Sequence, residues 1–221
     1  MCKLQYSRLF LFMTLIWSGN SFLLLSNAPR LVVKTLKVSN GAPWGVWEPP
    51  QFCAEGTYAV GYRIKVEPGQ GNGDDTSLNS ILIDCKGLDA VRSGGKITAY
   101  EGSSGQWWGE ATCPRRNGAP TFLKEFALQV EPQQGRGDDT AANYVMFKCK
   151  DFADLTYSSD LSIPPGHGLY GYMGNWSESC PANSAICGLR TKIESPQGSG
   201  DDTALNDVMF YCCKENPDAG K

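Results

Sequence analysis

The sequence predicts an all-β fold built from three copies of one unit around a shared axis. Three observations carry this. A Gly-Asp-Asp-Thr motif occurs three times at near-constant spacing, and strand-like alternation flanks each copy. No stretch of 12 or more residues has a convincing helical period. Composition agrees: with 41% hydrophobic residues, 19% charged, 25 Gly and 13 Pro, the chain is too apolar for disorder and too Gly-rich for a helical bundle. A net charge of −3 argues against a nucleic-acid binder, which needs a basic surface. The single histidine, His167, argues against His-based metal sites and triads.

Residues 1–28 read as a secretory leader. Lys3 and Arg8 precede an apolar run at 9–17, which Ser18-Gly19-Asn20-Ser21 interrupts. A membrane-spanning helix needs roughly 20 apolar residues; a second apolar run at 22–25 keeps a signal anchor open as the alternative. Without residues 1–28 the charge becomes −5 and Cys2 is lost, leaving eight cysteines. Secretion and an even cysteine set point to four disulfides.

The mature chain is expected to be one domain, 29–221, with repeats at about 33–95, 96–157 and 158–213. Gly73-Asp74-Asp75-Thr76-Ser77-Leu78-Asn79 returns as Gly137-Asp138-Asp139-Thr140-Ala141-Ala142-Asn143 and as Gly200-Asp201-Asp202-Thr203-Ala204-Leu205-Asn206. A glutamate stands six residues before each glycine (Glu67, Glu131, Glu194), and a cysteine ten residues after each second aspartate (Cys85, Cys149, Cys212). Before each motif, alternation predicts a half-buried strand. Its inward sets are Tyr58, Val60, Tyr62, Ile64 and Val66; Phe122, Lys124, Phe126, Leu128 and Val130; and Ala185, Cys187, Leu189, Thr191 and Ile193. Arg63, Lys65 and Gln129 are expected to face water. After each motif a second strand presents Ile81 and Ile83, Val145 and Phe147, or Val208 and Phe210. Each unit can bury one sheet face, so three around an axis bury all three.

Repeat equivalence pairs Cys53 with Cys85 and Cys113 with Cys149. In the third repeat it favours Cys180 with Cys212 and Cys187 with Cys213. The swap to Cys180–Cys213 and Cys187–Cys212 stays open, since sequence does not fix connectivity.

The triple Gly-Asp-Asp-Thr-x-x-Asn motif, the Gly41-Ala42-Pro43-Trp44-Gly45 opening and the closing Cys212-Cys213 resemble the vitelline membrane outer layer protein 1 family, from about residue 33 to 213. The resemblance implies a β-prism of three Greek-key sheets with pseudo-threefold symmetry. It also implies secretion into egg coats or similar layers, and a link to carbohydrate that includes weak transfer activity on N-acetylchito-oligosaccharides. One departure is visible. Repeat two has Ala142 where the others have leucine, and its Cys113–Cys149 span is 36 residues rather than 32, which suggests a differently shaped loop.

The candidate site residues are the repeated carboxylates Glu67, Asp74, Asp75, Glu131, Asp138, Asp139, Glu194, Asp201 and Asp202, together with Trp108. Carboxylates gathered at one prism end could bind sugar hydroxyls or calcium, or act as an acid–base pair. Against this, Asp-Thr is good turn chemistry, and an active site usually breaks threefold symmetry. Trp44, Trp47, Trp107 and Trp176 are expected to plug the core, and Trp108, without a partner in the other repeats, to be exposed. Asn175-Trp176-Ser177 is the one N-glycosylation sequon, expected to stay unused if Trp176 packs inward.

The expected function is a secreted structural component of an egg-coat or mucus-type layer, a monomer touching extracellular glycoproteins or oligosaccharides. It calls for no cofactor, metal, nucleic acid or membrane. The alternative is an enzyme acting on chito-oligosaccharides, with its acid and base drawn from Glu67, Asp75, Asp139 and Asp202.

Overall fold

A computed structural model describes residues 30–69, 77–102, 104–133, 140–195 and 203–216. The expected leader, residues 1–28, lies outside them. Thirteen strands and no helix are present among the described residues. In chain order the strands are β1 (Val32–Leu36), β2 (Val46–Trp47), β3 (Gln51–Phe52), β4 (Thr57–Val66), β5 (Leu78–Gly87), β6 (Ser93–Ile97) and β7 (Gln106–Thr112). There follow β8 (Phe122–Val130), β9 (Ala142–Lys150), β10 (Ser159–Leu161), β11 (Tyr172–Met173), β12 (Ser184–Ile193) and β13 (Leu205–Lys214).

They form three antiparallel sheets of one design: β6-β5-β4-β7, β10-β9-β8-β11 and β1-β13-β12-β2, with β3 also on β12. In the first two, three consecutive strands are followed by a fourth that returns beside the first, a Greek key. The third takes its outer strands from the chain's start, so the N-terminal segment closes the ring. Sheets and sequence repeats are therefore out of phase. Each Trp-bearing segment donates its strand to the preceding sheet: β7 to β4, β11 to β8 and β2 to β12.

The disulfides use the same handover. The structure pairs Cys53–Cys85, Cys113–Cys149, Cys180–Cys212 and Cys187–Cys213. The Cys113 amide donates to the Val60 carbonyl of the first sheet, while its sulfur is bonded to the second. Cys180 likewise bonds the Lys124 carbonyl, and Cys53 the Cys187 carbonyl. Three of the bridges, local in sequence, thus staple neighbouring sheets. Cys187–Cys213 instead ties two strands of one sheet.

Val60, Lys124 and Cys187 are the extra residues of three equivalent bulges, where the register slips between Ala59/Gly61, Leu123/Glu125 and Ile186/Gly188. A bulge reverses which side chains face inward beyond it. This corrects the continuous alternation expected from sequence. Tyr62, Ile64, Phe126, Leu128, Leu189 and Ile193 line the main core. Tyr58, Val60, Phe122, Ala185 and Cys187 turn the other way into a small second cluster with Cys213. Lys124 is fully buried, and its Nζ donates to the Phe152 carbonyl at 2.9 Å.

On the axis, rings from all three sheets meet edge to face: Tyr62 with Phe147 at 4.7 Å, Phe147 with Phe210 at 5.2 Å and Phe126 with Phe210 at 4.8 Å. Such pairs add about 0.5–1.5 kcal/mol each beyond their burial. Ile81, Ile83, Val145 and Val208 are buried here as expected. The outer faces are less wet than predicted, because loops from the next repeat cover them. Lys65 is buried, donating to the Gly102 carbonyl at 2.7 Å and pairing with Glu101 at 3.0 Å. Gln129 is buried between the Tyr170 carbonyl and the Gly168 amide, and half-buried Arg63 bonds the Gly109 carbonyl.

Candidate functional site

Asp74, Asp75, Asp138, Asp139, Asp201 and Asp202 lie outside the described residues. What the structure gives is the base of each acidic hairpin, and there the rest of the motif has a clear purpose. Thr140 donates its amide (3.2 Å) and hydroxyl (2.8 Å) to Glu131 Oε2. Its hydroxyl in turn accepts from Asn143 Nδ2 at 2.6 Å. The third repeat repeats this, with Thr203 donating to Glu194 Oε2 at 2.6 Å and accepting from Asn206 Nδ2 at 2.7 Å. A hydroxyl has one proton and two lone pairs, so threonine can link a carboxylate to an amide.

The residue after the threonine is left-handed in all three copies: Ser77 (φ 50°), Ala141 (φ 50°) and Ala204 (φ 48°). That turn points its carbonyl at the glutamate amide: Glu67 to Ser77 at 2.8 Å, Glu131 to Ala141 at 2.8 Å and Glu194 to Ala204 at 2.9 Å. The same carbonyl accepts from the motif asparagine at 3.2 Å each time. Glu131 and Glu194 thus brace their loops through their carboxylates, and Glu67 takes part through its backbone amide. The irregularity expected in repeat two lies elsewhere: its Cys113–Cys149 separation of 36 residues takes its extra length in the turn around Arg116–Ala119, before β8.

The brackets communicate. Ser77 Oγ donates to Asn143 Oδ1 at 2.8 Å, which also accepts the Tyr170 amide at 3.0 Å. A glycine loop from the next segment seats on each asparagine: the Gly102 amide bonds the Asn79 carbonyl, Gly168 packs on Asn143, and the Ala42 amide, beside Gly41, bonds the Asn206 carbonyl. Gly41 lies directly against Asp207: a Cβ there would lie 2.2 Å from the Asp207 carboxyl carbon and would displace that side chain. Asp207 is thereby half-buried. Burial raises its pKa from 3.8 to about 6, opposed by the bond from the Val208 amide and by the charges of Lys192 and Lys37.

The tryptophans are not core plugs. Trp44 packs against the core's edge only, and Trp47, Trp107 and Trp176 are half-buried. They stand on the edge strands and crossing segments that cover the outer faces, while phenylalanines fill the axis. The Arg190 guanidinium lies 4.7 Å from the Trp47 ring and Lys148 Nζ 4.5 Å from the Trp176 ring. Trp108 is 62% exposed. Sequence reasoning missed Tyr172, which is 81% exposed, because its register partners in the other sheets are Gln106 and Val46 rather than aromatics. His167 is exposed and rims a cavity of about 450 Å³ with Gln129, Met146, Leu169 and Tyr172. Among the described residues no group of three or more His, Cys, Asp or Glu could hold a metal ion.

A sequence model of the family described as Vitelline membrane outer layer protein I matches residues 34–215. A vitelline membrane outer layer protein 1 homolog of Mus musculus is 38% identical over 209 residues, covering 94% of this chain and 96% of its own. One from Homo sapiens is 42% identical over 181 residues, covering 81% and 82%. Among solved structures, a mannose-specific jacalin-related lectin from Morus nigra in complex with mannose aligns with a TM-score of 0.45 at 12% identity, over 85% of this chain and 97% of that one. An artocarpin–mannopentose complex aligns with a TM-score of 0.45 at 11% identity, over 83% and 99%. That likeness is loose, and no ligand is inferred from it.

Proposed function

Since the chain belongs to the vitelline membrane outer layer protein I family, we propose that it is a secreted structural protein of an extracellular layer, held to coat- or mucus-type glycoproteins by weak carbohydrate contacts. The observation that carries this is the stapling: each sheet is joined to the next by an exchanged edge strand and by a disulfide. Such a ring resists local opening, the property a permanent extracellular layer needs. The bridges fit an oxidising compartment.

The motif glutamates support the structural reading over the catalytic one. Glu131 and Glu194 each accept from the hydroxyl of their own motif threonine, a repeated loop contact that suits turn bracing better than the paired acid and base of a catalytic site. Trp108 is our candidate for sugar contact, together with the acidic hairpins (Asp74, Asp75, Asp138, Asp139, Asp201 and Asp202, with Glu67 at the base of the first). An uncovered indole face suits the apolar side of a pyranose. The test is a glycan array including chito-oligosaccharides, with products followed by mass spectrometry. Binding without change in chain length supports the proposal, altered chain lengths would replace it with the transferase reading, and silence on every glycan would remove the carbohydrate part.

A further inference from the structure

We infer that Asn175 carries an N-linked glycan, which sets one of the three related crossing segments apart from the others. The inference rests on the secreted reading above. Segment 174–180 runs along β8: the Gly174 amide bonds the Leu128 carbonyl, Ser177 that of Phe126 and Cys180 that of Lys124. Within it the sequon is sorted by side. Asn175 is exposed and makes no side-chain hydrogen bond within the described chain. Trp176 is tucked against Lys148, and Ser177 is buried, its hydroxyl donating to the Glu178 carbonyl. The objection that an inward Trp176 would block the site therefore fails in the folded protein, where Trp176 is half-buried against Lys148 while Asn175 stays exposed.

The sequon is not a by-product of the repeat. Ser177 lies opposite Phe126, as Ala111 lies opposite Tyr62 and Gln51 opposite Leu189. The fold accepts Ala or Gln where this segment has the hydroxyl. Two residues earlier, the positions related to Asn175 are Gly109 and Pro49. At Gly109, where φ is also positive, a Cβ would strike the buried Ile163 side chain at 2.1 Å, so that position does not readily take an asparagine. A glycan on Asn175 also begins within about 10 Å of Tyr172, three residues away, so it can shade the exposed apolar run Leu169, Tyr170, Tyr172 and Met173.

Chemically, Asn175 Nδ2 attacks the anomeric carbon of a lipid-linked oligosaccharide. The N–C bond forms and the C–O bond to the polyprenyl pyrophosphate breaks. The pyrophosphate leaves, and the amide proton passes to a base of the transferase. The test uses the full chain with its own leader in secreting animal cells, wild type beside N175Q. The secreted wild type is expected to lose one glycan mass on peptide N-glycosidase treatment, with Asn175 converted to Asp, while N175Q is secreted without that mass. Partial occupancy at Asn175 also supports the inference. Secreted wild type at the bare mass of the disulfide-bonded polypeptide overturns this inference alone. Unglycosylated chain retained in the cytosol overturns both it and the secreted reading.

Discussion

Replacing Asp207 with Asn should stabilise the protein at neutral pH and leave it unchanged in acid. Asp207 is half-buried against Gly41, with its Oδ1 accepting the Val208 amide at 2.8 Å, a bond asparagine preserves. Burial raises the carboxyl pKa from 3.8 to about 6. The folded state therefore holds this proton more tightly than the unfolded chain. Its contribution to stability is greatest below pH 4 and falls as pH rises through 6. At 1.36 kcal/mol per pKa unit the full difference is about 3 kcal/mol, and residual solvent contact reduces it to about 2 kcal/mol. For a chain of this length that is a Tm rise of roughly 4–8 °C for D207N at pH 7. Guanidinium unfolding followed by tryptophan fluorescence, at pH 4, 5, 6 and 7 with disulfides intact, reads the difference between the two proteins. It should open between pH 4 and 6 and be flat above. A difference independent of pH, or a wild type more stable than D207N at pH 7, refutes the reasoning.

Glu131→Ala leaves the Thr140 amide and hydroxyl without their acceptor in a buried place; urea unfolding should show a loss of about 2–3 kcal/mol, with glycan binding by the folded fraction unchanged. Removing the Cys53–Cys85 bridge by a double serine substitution opens a 32-residue link between the third and first sheets and should cost about 3–4 kcal/mol, read as a lower denaturant midpoint. Trp108→Ala should change stability by less than about 0.5 kcal/mol, because the side chain is mostly exposed. On a positive glycan it should weaken binding several-fold, and unchanged affinity would move the contact elsewhere.

Much was legible in the sequence, because repetition supplied three readings of each feature. The strand pairs around each motif, the in-register cysteines and the inward faces of Ile81, Val145 and Val208 follow from period and equivalence alone. The glutamate–threonine–asparagine bracket was partly visible as turn chemistry, but its wiring was not. Thr140 could have bonded its own backbone, and only the fold puts Glu131 opposite it. Alternation failed at Val60, Lys124 and Cys187 because a bulge costs one residue and leaves no compositional trace.

What the sequence determined by itself was the unit: two long strands, an acidic hairpin and a cysteine pair, three times over. Only the tertiary structure decided how the units join. Each passes its edge strand to the sheet before it, and the N-terminal strands complete the last sheet. The physical reason is that a sheet edge carries unpaired amides and carbonyls that any strand can satisfy. Which strand does so depends on closure in three dimensions, as does the fate of Asp207, whose carboxylate is partly covered by Gly41, 166 residues away in sequence.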